Sequence, residues 1–389
     1  MRTNPGGQID PTEIIGRDKL VSHLWDVLLR QSLVLTAERR MGKTSVVLKM
    51  RAEATSDKLA IYRDLERVHT PLEFTQLVYD DVSSYLSLLN RTARRAQQFV
   101  AQLGGTEVKG FIKLPEMAAT HWKTLLTRIL EDLVEHQERT VILFWDELPL
   151  MLYNIKRRAG EDAAMEVLDT LRSVRQMHPQ IRMVFTGSIG LHNVLSVLRS
   201  AGYANAPTND MYTEDVPPLT MEHARELAVR LLKGESIQTD NLMACAERIA
   251  ESVDGIPYFI HHVVDQLKQR GGRASVETVD AVIRSSISDQ QDRWHLRYYR
   301  ERIDIYYSDE ERPFALNMLD ILSVADEPVT FNDLFNQLKS RVVTEDREQA
   351  LRVLSLLQRD HYVAQHEDGT LNFRFPLIKR CWRVHRGLG

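Results

Sequence analysis

The stretch that decides the fold is Ser32–Thr44, SLVLTAERRMGKT. Its first five residues, SLVLT, are a short apolar run typical of a buried strand. The next eight, Ala37–Thr44, fit a loop between strand and helix whose backbone N–H groups surround a phosphate. Because Ser45–Ala52 continues as a helix, we predict a strand, a phosphate-binding loop (P-loop) and a helix in direct succession.

The residue types inside this loop suit a nucleotide triphosphate. Lys43 reaches the β- and γ-phosphates as a point charge, and the Thr44 hydroxyl is a ligand for Mg²⁺. Gly42 leaves the backbone unhindered beside the phosphate, whereas Ala37 stands where a glycine is usual. The alternative is an ordinary helix start capped by the threonine, which the flanking strand and helix disfavour. The predicted residues for ATP or ADP and Mg²⁺ are Ala37, Glu38, Arg39, Arg40, Met41, Gly42, Lys43, Thr44 and Ser45.

A second strand candidate ends in two carboxylates. Thr140–Trp145, TVILFW, is followed by Asp146 and Glu147. We predict that Asp146 holds Mg²⁺ through water and that Glu147 orients and activates the attacking water, which with Lys43 makes the catalytic set. We expect this strand next to the P-loop strand, with both acids at its carboxyl end. The alternative is a solvated acidic pair at a strand end.

Three further elements have weaker signals. Thr186 and Ser188 follow the strand Ile181–Thr186, where a hydroxyl can hydrogen-bond the γ-phosphate or the attacking water; a simple polar turn is the equal alternative. Asp254–Pro257 interrupts a helical region, which glycine and proline explain by themselves. Arg199 is a candidate for a finger toward a neighbouring nucleotide, although a solvated arginine is the plainer interpretation.

The order of elements predicts an α/β fold. Strands, including Leu59–Leu65 and Met211–Val216, alternate with helices, which indicates a parallel sheet covered on both faces. Three helical stretches after 313 and two short strands around Asp368-Gly369 give the pattern of a winged helix. The predicted division is a nucleotide-binding domain at 1–219, a helical domain at 220–286, a helical connector at 287–312 and a winged-helix domain at 313–389.

Composition narrows the class of protein. The chain has 389 residues, 43% hydrophobic and 27% charged, with a net charge of -4, which are ordinary values for a globular protein. The two cysteines, Cys245 and Cys381, have no spacing typical of a disulfide framework or a zinc site. The N-terminus lacks the apolar core of a signal peptide, and no apolar run is long enough to span a membrane. We expect a cytoplasmic protein that does not bind membranes.

The motifs, in this order, resemble those of the STAND class of AAA+-related ATPases, in particular its archaeal-ATPase-like branch. The resemblance extends over about residues 10–380. Its most specific strings are the Arg-Arg-x-Gly-Lys-Thr-Ser and the Asp-Glu-x-Pro strings. The motifs that carry it are Ile15–Asp18, Glu38–Ser45, Trp145–Pro149, Thr186–Ser188 and Gly255–Pro257.

The resemblance implies more than the residues show. It implies an additional-strand P-loop sheet, a helical lid at 220–286 and a winged helix. Gly16 and Arg17 would lie near the adenine and ribose, and Pro257 in the lid would contact the nucleotide. Members of this class exchange ATP and ADP to switch between closed and open forms, often with nucleotide-dependent homo-oligomerisation, in signalling and in defence against foreign DNA. The long repeat array of many such proteins is missing here, so the signal would come from the winged helix or a separate partner.

The winged helix leaves the partner open between DNA and protein. Five basic residues close the chain and could contact the phosphates of double-stranded DNA. The region from 313 onward is nevertheless neutral, with ten Lys/Arg and ten Asp/Glu, and its third helix begins with acids, which favours capping over reading DNA. The five residues are Arg374, Lys379, Arg380, Arg383 and Arg386.

We therefore predict an ATP-binding and ATP-hydrolysing conformational switch that acts on a partner or effector protein, or on DNA. Two alternatives remain at this point: a DNA-binding loader or transposition-type ATPase that uses the winged helix, and a structural adaptor locked with ADP.

Overall fold

The computed structural model describes residues 1–88, 94–102, 107–108, 111–112, 119–136, 138–187, 190–200, 203, 206–342 and 346–388. Ser188, one of the predicted site residues, lies outside these residues, as does the side chain of Arg199. Within residues 104–115 the structure describes one antiparallel pair, Glu107–Val108 with Phe111–Ile112.

The described strands are β1 (Leu33–Thr36), β2 (Lys58–Asp64), β3 (Glu107–Val108), β4 (Phe111–Ile112), β5 (Thr140–Asp146), β6 (Ile181–Phe185), β7 (Tyr212–Asp215), β8 (Val363–Gln365) and β9 (Leu371–Phe373).

After a short 3-10 helix at Pro11–Glu13, the described helices of the first half are α1 (Asp18–Leu28), α2 (Lys43–Ala52), α3 (Pro71–Leu88), α4 (Arg94–Gln102), α5 (Trp122–Glu135), α6 (Leu148–Ala159), α7 (Glu161–Met177) and α8 (Leu191–Ser200). Those of the second half are α9 (Met221–Gly234), α10 (Leu242–Ser252), α11 (Pro257–Arg270), α12 (Val276–Ile287), α13 (Tyr298–Tyr306), α14 (Glu311–Val324), α15 (Phe331–Lys339), α16 (Arg347–Arg359) and α17 (Pro376–Arg386).

The described sheet that carries the P-loop has five parallel strands in the order β2-β5-β6-β1-β7. The predicted α/β class is therefore confirmed. One expectation was wrong, because the strand of Asp146 and Glu147 does not lie next to the P-loop strand. β6 is inserted between β1 and β5, and this inserted strand is what defines the additional-strand type of P-loop sheet.

The chain folds into two compact units. The sheet unit consists of Lys19–Thr36 and Lys43–Asp215, and the C-terminal unit consists of Met1–Asp18, Ala37–Gly42 and Val216–Gly389. The core of the sheet unit includes the interior strand β5, whose residues Val141–Asp146 are all buried, as expected for a parallel strand covered on both faces.

The helices of the C-terminal unit begin at side-chain caps that the sequence supplies. Thr220 caps α9, Asn241 caps α10 and Ser275 forms a capping box with Thr278 at α12. Asp346 accepts the Gln349 N–H at 2.8 Å, so the acidic start of α16 does act as a cap.

The end of this unit fits a winged-helix domain. Helices α14, α15 and α16 precede the antiparallel pair β8 and β9, and Val329 adds an antiparallel bridge to Leu371. Helix α17 then packs on α14, where Asp320 accepts hydrogen bonds from the Trp382 indole at 2.8 Å and the Arg386 guanidinium at 2.7 Å. None of the described helices is both long and apolar enough to cross a bilayer.

Candidate functional site

The P-loop threonine and the strand-end aspartate meet directly. The Thr44 hydroxyl donates a 2.6 Å hydrogen bond to Oδ2 of Asp146, 102 residues away along the chain. Helix α2 begins at Lys43, within the predicted P-loop, and its first turn places Thr44 within reach of Asp146 although β6 separates their strands. Thr44 is exposed and Asp146 is buried, so this oxygen pair has one side open to solvent.

These two oxygens are the kind of ligands that a protein contributes to a Mg²⁺ site. Mg²⁺ prefers oxygen ligands and usually takes only one or two from carboxylates, with phosphates and water completing its shell. Among the described residues no group of three or more His, Cys, Asp or Glu could hold a metal by itself. Thr44 and Asp146 therefore fit an ion that arrives with a nucleotide.

Glu147 lies directly before helix α6 and is therefore not part of a solvated acidic strand end. Its backbone lies in the left-handed region, with φ of 58°, and its N–H donates to Oδ1 of Asp146 at 3.1 Å. Helix α6 starts at the next residue, with Pro149 in its first turn. A Cβ placed on Gly187 would lie 3.4 Å from Oε2 of Glu147, so the carboxylate sits beside the turn that follows β6.

Thr186 lies at that turn and is 1% exposed. Its backbone N–H donates to the carbonyl of Trp145 and its own carbonyl accepts from Leu148 N–H, at 3.2 and 3.1 Å. Its hydroxyl, however, has no hydrogen-bond partner among the described residues. An unpaired buried hydroxyl costs roughly 1–3 kcal/mol, so Thr186 has a donor to offer to a ligand.

Tyr62 is a site residue that the sequence analysis missed. Its hydroxyl donates to Oδ2 of Asp146 at 3.3 Å, from the neighbouring strand β2. Burial first, and then the charges of Asp146 and Asp64, raise the pKa of Tyr62 above its ordinary value, so it remains a donor at neutral pH. The sequence signal was its place in β2, two residues before the strand end that pairs with Asp146.

The first part of the P-loop belongs to the C-terminal unit, where Met41 is buried in the core. Arg17 is buried as well and donates to the Met41 carbonyl at 2.8 Å. Burial lowers the pKa of Arg17 to about 10, which leaves it charged at neutral pH. The guanidinium thus supports the loop backbone, while its expected place near adenine and ribose, with Gly16, stays a prediction.

Three successive P-loop side chains are held by helices of the C-terminal unit. Glu38 forms a buried ion pair with Arg302 of α13, at 2.7 Å. The guanidinium of Arg39 lies 4.1 Å from the ring centroid of Tyr298, and that of Arg40 lies 4.1 Å from the centroid of Tyr258. No sequence signal pointed to these partners, which lie more than 200 residues away.

The remaining predicted site residues lie at the starts of two helices or just before them. Gly42 has φ of 88°, in the region that favours glycine, and Lys43 is buried at the start of α2. Ser45 lies in the first turn of the same helix. Pro257 is the first residue of α11, in the C-terminal unit, directly after the break at Gly255.

Most of the basic residues near the chain end are used inside the molecule. Arg374 contacts His361, Lys379 donates to the Ala325 carbonyl and Arg380 donates to the Ser252 carbonyl. Arg386 pairs with Asp320, so four of the five predicted phosphate-contacting residues already have internal partners.

Two solved structures resemble this chain over nearly its full length. A Walker-type ATPase of Pyrococcus abyssi superposes with a TM-score of 0.67 at 16% identity, covering 98% of this chain and 99% of its own. The chain has a P-loop ATPase fold. The ORC2 protein of Aeropyrum pernix, in its ADPNP-ADP complexes, has a TM-score of 0.58 at 13% identity, covering 99% of this chain and 96% of its own. The predicted likeness to archaeal P-loop ATPases is thus confirmed for the fold.

The likeness is one of structure. No protein-family model matches the sequence, and no curated protein matches it.

Proposed function

We propose that this chain binds ATP and ADP with Mg²⁺, hydrolyses ATP and uses the bound nucleotide as a STAND-like conformational switch. The observation that carries the proposal is the 2.6 Å hydrogen bond between Thr44 and Asp146, which unites the two halves of a magnesium–phosphate site. The P-loop ATPase fold shared with the Pyrococcus protein supports it.

We assign a role to each of six site residues in the sheet unit. Lys43 neutralises the phosphates, and Thr44 and Asp146 hold Mg²⁺. Glu147 accepts the proton of the attacking water, and Tyr62 orients Asp146. Thr186 offers its hydroxyl, which has no hydrogen-bond partner among the described residues, to the γ-phosphate or the attacking water, and this contact distinguishes ATP from ADP.

Nucleotide binding is tested by calorimetry with a pair of matched lysine variants. Lys43 and Lys49 are both buried in α2, but Lys49 pairs with Glu53 at 2.8 Å and lies outside the loop. We expect Lys43→Ala to abolish detectable ATP and ADP binding and Lys49→Ala to keep it. If the wild type binds neither nucleotide, or if Lys43→Ala binds as the wild type does, the proposal is wrong.

Hydrolysis separates the switch from an ADP-locked adaptor. We expect slow release of phosphate by the wild type. Glu147→Gln should lose at least about a hundredfold in turnover, the scale of general-base catalysis, and keep ATP bound. An adaptor would show no turnover in the wild type and no effect of this variant.

We propose a protein as the partner of the switch. The support comes from Arg374, Lys379, Arg380 and Arg386, whose internal contacts leave few cations for DNA phosphates. The alternative, a DNA-binding loader, requires affinity for duplex DNA that falls steeply with salt.

A further inference from the structure

A buried chain of charges runs from the P-loop to the winged-helix region. Arg302 of α13 donates to Oε1 of Glu38 at 2.7 Å and to Oδ1 of Asp360 at 3.1 Å. Asp360 directly follows the last residue of α16, and its Oδ2 accepts the Tyr307 hydroxyl at 2.8 Å. All of these residues belong to the C-terminal unit.

The three charges are withdrawn from water almost completely. The side chains of Arg302, Glu38 and Asp360 are 4%, 1% and 1% exposed. Burial disfavours the charged guanidinium, but Glu38, Tyr362 and Asp360 outweigh it and hold the pKa of Arg302 well above its ordinary value. Such a group tolerates the loss of a partner badly, because a buried charge is then left uncompensated.

At the P-loop end of this chain of charges, Glu38 also hydrogen-bonds the loop backbone. The same Oε1 of Glu38 accepts the Arg39 backbone N–H at 2.6 Å. The next residue, Arg40, has φ of 75°, in the left-handed region that costs a non-glycine residue roughly 1 kcal/mol or more. Arg40 adopts it while its guanidinium lies over Tyr258 of α11. The loop is therefore held in shape by the C-terminal unit, and its own residues would not favour this conformation.

We propose that Arg302 is a positioning residue for the P-loop, and that through it the winged-helix residue Asp360 sets the affinity for nucleotide. This regulation rests on the proposed function, since it acts on the same nucleotide site. Arg302 reaches the loop through its ion pair with Glu38 and the end of α16 through its ion pair with Asp360, and its guanidinium also lies 5.4 Å from the ring centroid of Tyr362.

The consequence is a route for a partner's signal. A protein that binds the winged-helix region and moves the end of α16 would take Asp360 from Arg302, shift the guanidinium that holds Glu38 and so loosen the loop around the phosphates. By thermodynamic linkage, bound nucleotide would oppose that movement to the same extent.

The test compares two buried carboxylates of the same unit by ADP calorimetry in full-length protein. Asp360→Asn breaks the chain to the P-loop without altering a loop residue. Asp320→Asn is the matched control, because Asp320 is also buried and also pairs with an arginine, but its hydrogen bonds go to Trp382 and Arg386 of α17 and not to a loop residue. Thermal melting of both variants measures the general loss of stability.

We expect Asp360→Asn to weaken ADP binding about tenfold, within the range of typical coupling between sites, and Asp320→Asn to change it less than twofold at a similar loss in melting temperature. Glu38→Gln should weaken binding to a like degree. The double variant Glu38→Gln with Asp360→Asn should be no weaker than the worse single one, because both break one chain.

If Asp360→Asn does not fold, Tyr307→Phe replaces it, because this variant removes only the hydroxyl that donates to Asp360. We expect it to weaken ADP binding about threefold. The proposal is overturned if the folded variants of Asp360 and Tyr307 bind ADP like the wild type, or if the Asp320 control weakens binding equally. A wild type that binds no ADP is a different failure, because it removes the proposed function before any variant is compared.

Discussion

Oδ2 of Asp254 accepts a 2.8 Å hydrogen bond from the backbone N–H of Leu377, in the first turn of α17. The aspartate lies in the break between α10 and α11, with φ of 53°. Arg380 adds a second tie by donating to the Ser252 carbonyl in the last turn of α10. The helix break that glycine and proline explain locally is thus also an anchor for the last helix.

This anchor predicts a pH dependence of stability. Burial raises the pKa of Asp254 to about 6, against the lowering effects of the Leu377 N–H and Arg380. Between pH 4 and pH 6 the folded chain binds more protons than the unfolded chain, so this group's contribution to stability falls as pH rises, by up to about 3 kcal/mol. Asn cannot titrate and tolerates the left-handed backbone. We expect the free energy of unfolding of Asp254→Asn to be about 1–3 kcal/mol higher than that of the wild type at pH 8.

Urea unfolding at pH 4.5 and pH 8 measures this difference. The advantage of the variant should shrink toward zero at the lower pH. An equal difference at both pH values would show that Asp254 does not titrate in this range.

A second prediction concerns two glycines with the same backbone angle. Gly255 and Gly271 have φ of 68° and 69°, so alanine meets the same backbone strain at both. A Cβ on Gly255 would lie 2.5 Å from the Leu219 carbonyl oxygen, whereas Gly271 has nothing within 4 Å. We expect Gly271→Ala to cost about 1 kcal/mol and Gly255→Ala about 1–3 kcal/mol more. Equal losses in denaturant unfolding would mean that the contact with Leu219 relaxes freely.

A third prediction tests Tyr62 through magnesium. The Tyr62 and Thr44 hydroxyls both donate to Oδ2 of Asp146, so removal of the Tyr62 hydroxyl leaves this carboxylate less well oriented. We expect Tyr62→Phe to raise the half-saturating Mg²⁺ concentration about fivefold, the worth of one hydrogen bond, and to leave ATP affinity in EDTA unchanged. Calorimetric titration of Mg²⁺ into the ATP-loaded protein measures this directly.

Tyr212→Phe is the control for Tyr62, because Tyr212 is exposed on β7 of the same sheet. If Tyr62→Phe and Tyr212→Phe have the same half-saturating Mg²⁺ concentration, the Tyr62 hydroxyl does not contribute to the Mg²⁺ site.

A fourth prediction separates stability from DNA binding at α17. Arg380 is bonded to Ser252, so Arg380→Ala should lower the melting temperature by a few degrees. We expect no binding of duplex DNA at physiological salt by the wild type, measured by fluorescence anisotropy. Strong, salt-dependent binding that is lost in the variant with both Arg380→Ala and Arg383→Ala would instead support the DNA-loader alternative.

The local pattern of the sequence was sufficient for most of the sheet. Apolar runs predicted β1, β5 and β6, an alternating pattern predicted β2 and a weaker signal predicted β7, each to within one or two residues. The winged-helix hairpin was found from Asp368-Gly369 for the same reason. Helices α6 and α8 were not predicted, since they follow directly on the motifs at Glu147 and Gly187 and were hidden by them.

What could not be predicted depends on long-range contacts. The residue pattern alone placed the strand of Asp146 beside the P-loop strand, and only the resemblance to additional-strand P-loop ATPases implied that β6 lies between them, because no single strand encodes its neighbours. Arg302 lies 264 residues from Glu38 in a stretch that reads only as charged and helical, so one sequence gives no reason to pair them. The meeting of Thr44 and Asp146 could be predicted because two motifs share one chemical purpose.

The division of the chain into units has a consequence for how this protein can be rebuilt. The boundary falls four times, after Asp18, Thr36, Gly42 and Asp215, so the six residues Ala37–Gly42 group with a region that begins about 170 positions later. No single cut or fusion point yields either unit whole. Recombination that exchanges the C-terminal half with that of a distant homologue would strand Glu38, Arg39 and Arg40 without their partners. Functional chimaeras of this protein must therefore carry the loop and the C-terminal half from the same parent.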